Sequence, residues 1–370
     1  MTALPALQYL PRHLPAPGPR DYKYTRGVVT MATGSHAYPG AALIGVEAAA
    51  RTGIGMVRVS APAEVGTLVL MRVPEAVLAP GRSQVIVAGS GWDIEDPFNH
   101  SRTWAATGPA AEQCAHDRID ALLDEADDWS TTETPFLVLD AGVLSLLGTS
   151  GLADRVDWRA VLTPHAGEAA ELLAVLRHDP SISRDVVEAD PAGHAQQLSD
   201  LTGAIVALKG HTTLIAQPGA AELRAVTAPT CRLATAGTGD ALAGLIGGLL
   251  ALNHTRISEA AEQEVFAEVV ASAVELHGHA AARAARADAN EGAPILASDI
   301  ARAVPAIIAE NTPAATGEAT AGKSGTGEAT ARKSGTGEAT AGESVTGEPA
   351  TGQYGTDESG TGEGLCHDRH

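Results

Sequence analysis

Short apolar runs bounded by glycine, proline or polar clusters recur between residues 25 and 310, and longer stretches with helical spacing separate them. Gly27-Val28-Val29-Thr30-Met31-Ala32 reads as a buried strand. The polar turn Thr33-Gly34-Ser35-His36-Ala37-Tyr38-Pro39-Gly40 leads from it into a helix over 41–51. Further strands are predicted at 56–59, 85–88, 136–140, 160–163 and 204–208, and helices over 110–127, 167–176 and 191–201. Strand followed by helix, repeated, implies parallel strands joined by right-handed crossovers and hence a three-layer α/β/α fold with a mostly parallel sheet. After residue 208 the order changes. Runs at 212–216 and 223–227 flank Gln217-Pro218-Gly219, which predicts an antiparallel hairpin on one edge. Helices over 259–288 and 298–309 close a domain spanning 21–310.

Ligands of such sheets bind outside the carboxyl ends of the strands. Four polar or glycine-rich clusters fall there: residues 34–40, Ala88-Gly89-Ser90-Gly91, Thr163-Pro164-His165-Ala166-Gly167-Glu168 and Lys209-Gly210-His211-Thr212-Thr213. A fifth feature is the most pointed. Leu233-Ala234-Thr235-Ala236-Gly237-Thr238-Gly239-Asp240 is a glycine-flanked turn that opens into the apolar helix beginning Ala241-Leu242-Ala243. Several unpaired backbone N–H groups then converge on one point and make an anion site. The carboxylate at its mouth reads either as a helix-start residue or as a base for a hydroxyl held beside the anion, which phosphoryl transfer to an alcohol requires.

Composition narrows the ligand. The 370 residues carry 44% apolar but only 3% aromatic side chains, so the core is aliphatic and no stacking surface for nucleic acid is expected. A formal net charge of −20 speaks against nucleic acid and against an anionic membrane as partners. Any anion must be held locally by backbone N–H groups and a few cations. Cys114, Cys231 and Cys366 form no metal or disulfide pattern and fit a cytoplasmic location. The proline-rich residues 1–20 lack the apolar stretch of a signal peptide and read as a flexible N-terminus. Residues 311–370 change to a Thr, Gly, Glu, Ala and Ser repeat, with Thr-Gly-Glu at Thr316, Thr326, Thr336 and Thr346. This segment reads as a disordered tail because it has no apolar face to bury.

The combination of Lys23-Tyr24-Thr25-Arg26-Gly27, Tyr38-Pro39-Gly40-Ala41-Ala42, Leu139-Asp140-Ala141, Leu162-Thr163-Pro164-His165-Ala166-Gly167-Glu168, Leu208-Lys209-Gly210-His211-Thr212-Thr213, Gly237-Thr238-Gly239-Asp240, His277-Gly278 and Ala297-Ser298-Asp299-Ile300 resembles the ADP- or ATP-dependent NAD(P)H-hydrate dehydratases of the ribokinase-like superfamily. The resemblance runs in order across residues 20–305. It implies dehydration of (6S)-NADHX and NADPHX to NADH and NADPH, driven by ADP or ATP with Mg²⁺. Asp240 would be the base, and the N–H groups of Gly237, Thr238 and Gly239 the anion hole. Lys209, Gly210, His211, Thr212, Thr213 and Gly239 would bind the nucleotide. Ala42, Gly91, His165 and Asp240 would contact the hydrate, and Glu168 would hold Mg²⁺ through water. The family also suggests a homotetramer and, since only about two dozen residues precede the match, a separate epimerase for the (6R) hydrate. Asp140 reads equally as a ligand of metal-bound water or as a turn residue. Two departures stand out: Gly89-Ser90-Gly91-Trp92 where the family commonly has Gly-Pro-Gly, and Ala236 in place of the usual glycine. The Gly237–Asp240 turn alone would equally serve a hydroxyethylthiazole kinase-like enzyme or a nucleotide-binding regulator without turnover.

Overall fold

The computed structural model describes residues 4–92, 135–147, 156–260, 262–287 and 292–312. The helix expected over 110–127 and the repeat tail beyond residue 312 lie outside the described residues. Strands β1 (Val28–Ala32), β2 (Met56–Val59), β3 (Val85–Ala88), β4 (Phe136–Leu139), β5 (Ala160–Leu162) and β6 (Ile205–Leu208) pair in parallel, and β7 (Thr212–Ala216) and β8 (Arg224–Thr227) add an antiparallel edge. The sheet order is β2-β1-β3-β4-β5-β6-β7-β8. The chain therefore reverses its direction of growth between β1 and β3, the place where open α/β sheets form a ligand crevice.

Period-two alternation divides the strand side chains between two layers. Val29, Met31, Val85, Val87, Val138, Ile205 and Ala207 face one apolar core, while Ala32, Ile86, Ala88, Leu137, Leu139, Val206 and Leu208 face the other. The first core is covered by α1 (Pro39–Ala50), α2 (Ala63–Arg72), α7 (Thr238–Leu252), α9 (Gln263–Ala285) and α10 (Ala297–Asn311). The second is covered by α3 (Gly142–Leu146), α4 (Ala166–Leu176), α5 (Arg184–Ala189) and α6 (Pro191–Thr202). The three-layer expectation and the edge hairpin hold. Helices α2, α3 and α5 were not expected; all are short and owe their stability to packing rather than propensity. The helix expected over 259–288 is α9, and a short unexpected helix, α8 (His254–Ala260), precedes it. No described helix is long and apolar enough to cross a membrane.

The expectation of a flexible segment over residues 1–20 is corrected in its middle. Residues Leu10–Arg12 form a 3₁₀ turn, and the backbone N–H groups of Gln8, Tyr9 and Leu10 donate to the buried Glu275 carboxylate at 2.7, 2.9 and 2.8 Å. Leu10 is fully buried. Its partners lie more than 260 residues away, so no local pattern could reveal the anchor.

Helix α7 begins at the Gly237–Asp240 turn, and its glycines set its seat. A Cβ on Gly244 would lie 2.2 Å from the Gly45 carbonyl oxygen in α1, one on Gly247 2.5 Å from Val87 in β3, and one on Gly248 2.4 Å from the Thr52 hydroxyl. Backbone thus meets backbone between α1 and α7, while Leu245, Ile246 and Leu249 are fully buried, each worth roughly 1.5–3 kcal/mol. Gly244→Ala is expected to destabilise the fold by about 1–3 kcal/mol through overpacking. Gly40→Ala, where an added methyl meets nothing within 4 Å, serves as the neutral or slightly stabilising control in thermal melts. Equal melting temperatures for the two variants would contradict this account of the α1–α7 contact.

Candidate functional site

The carboxyl ends of four adjacent strands are tied to one side chain. Asp140 follows β4, is 2% exposed, and its Oδ1 accepts from Lys209 Nζ at 2.8 Å and the Thr163 hydroxyl at 2.7 Å. Its Oδ2 accepts from the Ser90 hydroxyl at 2.8 Å. Ser90 follows β3, Thr163 follows β5 and Lys209 follows β6. A buried carboxylate is tolerable only when its oxygens are satisfied in this way. These contacts add a third role to the two readings of Asp140 left open by the sequence. Asp140 is the anchor of Lys209. The Ser90 departure gains a meaning as well, because a proline there could not donate to Asp140. Ser90 also accepts the Gly34 N–H at 2.7 Å, joining the two loops at the β1/β3 reversal.

Lys209 is ringed by acid. Burial favours loss of its proton, but the charges of Asp140, Glu168 and Asp240 outweigh it and raise the ammonium's pKa above the usual value. Its Nζ lies 3.6 Å from Glu168 Oε2. Glu168 and His165 form a reciprocal cap at the start of α4: Glu168 Oε2 accepts the His165 N–H at 2.7 Å, and His165 Nδ1 accepts the Glu168 N–H at 3.1 Å. Nδ1 is thereby an acceptor, so the proton of the neutral ring sits on Nε2. The His165 side chain is 59% exposed.

Gly237 opens α7 with φ +89°, the left-handed region that favours glycine. The Thr238 hydroxyl donates to the carbonyls of Leu233 at 2.9 Å and Thr235 at 3.0 Å, closing the turn. The N–H groups of Gly237, Gly239 and Asp240 donate to no backbone carbonyl among the described residues. Gly239 faces Lys209, since a Cβ on it would stand 3.6 Å from Nζ. Asp240 shares this space. Burial first, and the charge of Asp140 second, raise its pKa to about 6 against the opposing pull of Lys209.

Two cavities open on this rim. One, of about 480 Å³, is lined by His165, Lys209, Gly210, His211, Thr213, Thr238 and Gly239 on its polar side and by Val226, Ala228, Leu233, Leu242 and Val274 on its apolar side. The other, of about 590 Å³, is lined by Tyr38, Gly91, Trp92, Leu144, Glu168, Glu171 and Leu172 among others. Most expected site residues therefore line one cavity or the other; Gly237 and Asp240, at the start of α7, line neither, and three others depart from expectation. Ala42 is completely buried in α1, with Gly34 packed against it, and reaches neither cavity surface. Thr212 turns its hydroxyl to Thr227 across the hairpin, at 2.9 Å. His165 lines the first cavity, with the expected nucleotide residues, rather than the second. One residue to which the sequence assigned no role also lines the first cavity: His277 on α9, whose burial drives its pKa down to about 4 against a backbone hydrogen bond at Thr238. The only local signal for it was the dipeptide His277-Gly278 in α9.

A family model described as NAD(P)H-hydrate dehydratase matches residues 29–306, which include every strand but the first residue of β1 and all of the residues placed above. The chain belongs to the NAD(P)H-hydrate dehydratase family. It is 37% identical over 242 residues to a bifunctional NAD(P)H-hydrate repair enzyme of Mycobacterium tuberculosis, covering 64% of this chain and 43% of that protein. It is 34% identical over 242 residues to an ADP-dependent (S)-NAD(P)H-hydrate dehydratase of Xanthomonas campestris, covering 65% and 78%. The chain spans about half the length of the bifunctional curated relatives it matches. Its fold is shared with a ribokinase-like superfamily protein of Enterococcus faecalis (TM-score 0.61, 22% identity, 82% of this chain and 94% of that one). It is shared also with an ADP/ATP-dependent NAD(P)H-hydrate dehydratase of Bacillus subtilis co-crystallised with ATP and Mg²⁺ (TM-score 0.58, 22% identity, 82% and 96%).

In this member of the dehydratase family, the electrostatics of Asp240 have a measurable cost. Its pKa of about 6 in the folded chain lies above the ordinary 3.8, so folding favours the protonated form. The stability this group contributes is complete below about pH 4 and is lost as pH rises through about 6. Asp240→Asn is therefore expected to melt above the wild type at pH 8, by on the order of 1–3 kcal/mol, with the gap closing towards pH 4. A variant less stable than wild type at pH 8 would overturn the burial argument.

Proposed function

We propose that this protein repairs hydrated nicotinamide nucleotides, dehydrating (6S)-NADHX and NADPHX to NADH and NADPH at the expense of ADP or ATP. The observation that carries the reading is Asp240, a carboxyl with its pKa raised to about 6, set at the mouth of a turn whose free N–H groups and neighbouring Lys209 suit a phosphoryl group. The dehydratase relatives support the choice of substrate.

Asp240 takes the proton from the hydrate hydroxyl, whose oxygen attacks the terminal phosphorus of the nucleotide. The N–H groups of Gly237, Gly239 and Asp240 take up the charge on the transferring oxygens, and Lys209, fixed by Asp140, neutralises it further; the Thr238 N–H, expected in this set, donates instead to the Thr235 carbonyl at 3.4 Å. The phosphoryl–nucleotide bond breaks as the new P–O bond forms. Phosphate then leaves from the ring carbon, pushed by the lone pair of the ring nitrogen, and loss of a proton from the adjacent carbon restores the double bond. Hydroxide would be a far poorer leaving group. A kinase-like site thereby performs a net loss of water.

The donor set suits Mg²⁺ brought in by the nucleotide. With Asp240 ionised, three carboxylates, Asp140, Glu168 and Asp240, share one ammonium, so a polyphosphate needs a further cation beside it. Among the described residues no cluster of three His, Cys, Asp or Glu forms a cage, and Mg²⁺ characteristically keeps waters and phosphate oxygens as ligands. Both Asp140 oxygens are engaged by the protein, which leaves Glu168 as the carboxylate to hold the ion through water. The ion would supply charge neutralisation of the phosphates.

Purified protein incubated with NADHX, Mg²⁺ and either ADP or ATP is expected to regenerate the dihydronicotinamide absorbance, and recovery with neither nucleotide would sink the proposal. Asp240→Asn is expected to fold and to lose at least about 10²-fold in turnover. For the wild type, kcat/KM should rise with pH through an inflection near 6 as Asp240 ionises. A flat profile between pH 5 and 7.5 would remove Asp240 as the base.

A further inference from the structure

Three donors meet the Asp140 carboxylate, and they are unevenly shared between its oxygens. Lys209 and the Thr163 hydroxyl both donate to Oδ1, at 2.8 and 2.7 Å, so the Ser90 hydroxyl, at 2.8 Å, is the one donor to Oδ2 among the described residues. Ser90 is 1% exposed and Asp140 2%. Water has no ready access with which to replace the hydroxyl, and a buried carboxylate oxygen left without a donor is costly.

The loop that carries Ser90 leaves its side chain little freedom. Gly89 and Gly91 flank it with φ +101° and +70°, in the left-handed region that favours glycine. A Cβ on Gly89 would stand 2.1 Å from the Asp140 carbonyl oxygen and 2.5 Å from Val143, and one on Gly91 2.5 Å from Ala41. The backbone is thus pressed against the junction of β4 and α3 on one side and against α1 on the other. The Ser90 carbonyl accepts the Gly34 N–H at 2.7 Å, and the Trp92 N–H donates to the Gly89 carbonyl at 3.0 Å. A hydroxyl held this firmly directs its acceptor rather than following it.

We propose that Ser90 is a positioning residue for phosphoryl transfer: its hydroxyl holds Asp140 Oδ2, so that Oδ1 alone engages Lys209 and the ammonium is kept at the Gly239 turn. The assignment rests on the nucleotide-driven reading given above. Lys209 Nζ stands 3.6 Å from the place a Cβ on Gly239 would occupy. Without the Ser90 hydroxyl, both Asp140 oxygens compete for Lys209 and Thr163, and the ammonium is drawn back from the turn. The group that loses by this is the terminal phosphate of ADP, which AMP lacks.

Calorimetric titration of the full chain with ADP and with AMP, each with Mg²⁺, tests this without any need for turnover. Ser90→Ala is expected to bind ADP about ten-fold more weakly than the wild type and AMP equally well. Lys209→Met should show the same selective loss, and adding Ser90→Ala to it should change ADP affinity by less than about two-fold, because the hydroxyl acts through the ammonium. Ser90→Cys, whose thiol is a weaker donor, is the second variant should circular dichroism show Ser90→Ala to be unfolded, and its expected selective loss is about three-fold. A role confined to stability would lower the melting temperature of Ser90→Ala and leave the ratio of ADP to AMP affinity intact, which overturns the assignment. An equal effect of Ser90→Ala with and without the Lys209 ammonium overturns it too, while leaving the nucleotide-driven reading standing. Failure of ADP and ATP to bind the wild type removes both.

Discussion

The Asp140 carboxylate is the interaction on which the rest of the site depends. It takes one donor from the end of each neighbouring strand and one from the strand beyond, and so fixes Ser90, Thr163 and Lys209 with respect to one another. Burying a carboxylate and an ammonium is costly, and the cost is offset only because the pair is in direct contact and hydroxyls satisfy the remaining acceptor positions. Remove Asp140, and Lys209 has no reason to stand beside Gly239. The pKa of Asp240 also depends on this pair, since Asp140 pushes it up and Lys209 pulls it down.

The other half of the site arrives on a helix. α7 descends between α1 and the sheet because glycines at 244, 247 and 248 let it approach backbone and small side chains closely. Its buried length fixes where its first turn ends. That turn then presents free N–H groups to Lys209 and places a carboxyl in a poorly solvated spot. Rigid strands hold Lys209 and a rigid helix holds Asp240, so the geometry of the site does not rely on the connecting loops alone.

Much of this was legible along the chain. The alternation of apolar strands with helical stretches gave the parallel sheet, Gln217-Pro218-Gly219 marked the edge hairpin, and Gly237-Thr238-Gly239-Asp240 marked the turn that opens α7. What escaped was short or distant. α2, α3 and α5 are short and form because they pack. The proline-rich start looked loose, yet its N–H groups cap onto Glu275 at the other end of the domain. Ala42, which the family resemblance set against the substrate, is interior, because the face of α1 that bears it lies against the turn at Gly34.

The sequence by itself determined the layer architecture and the place of the central turn, because both are written in local periodicity and in residue types adjacent along the chain. Only the tertiary structure decided the role of Asp140, the neutral state of His277 and the raised pKa of Asp240. Each of these depends on burial and on charges supplied by elements far apart in sequence. Desolvation and Coulomb energy are functions of distance in space, and no spacing along the chain encodes them.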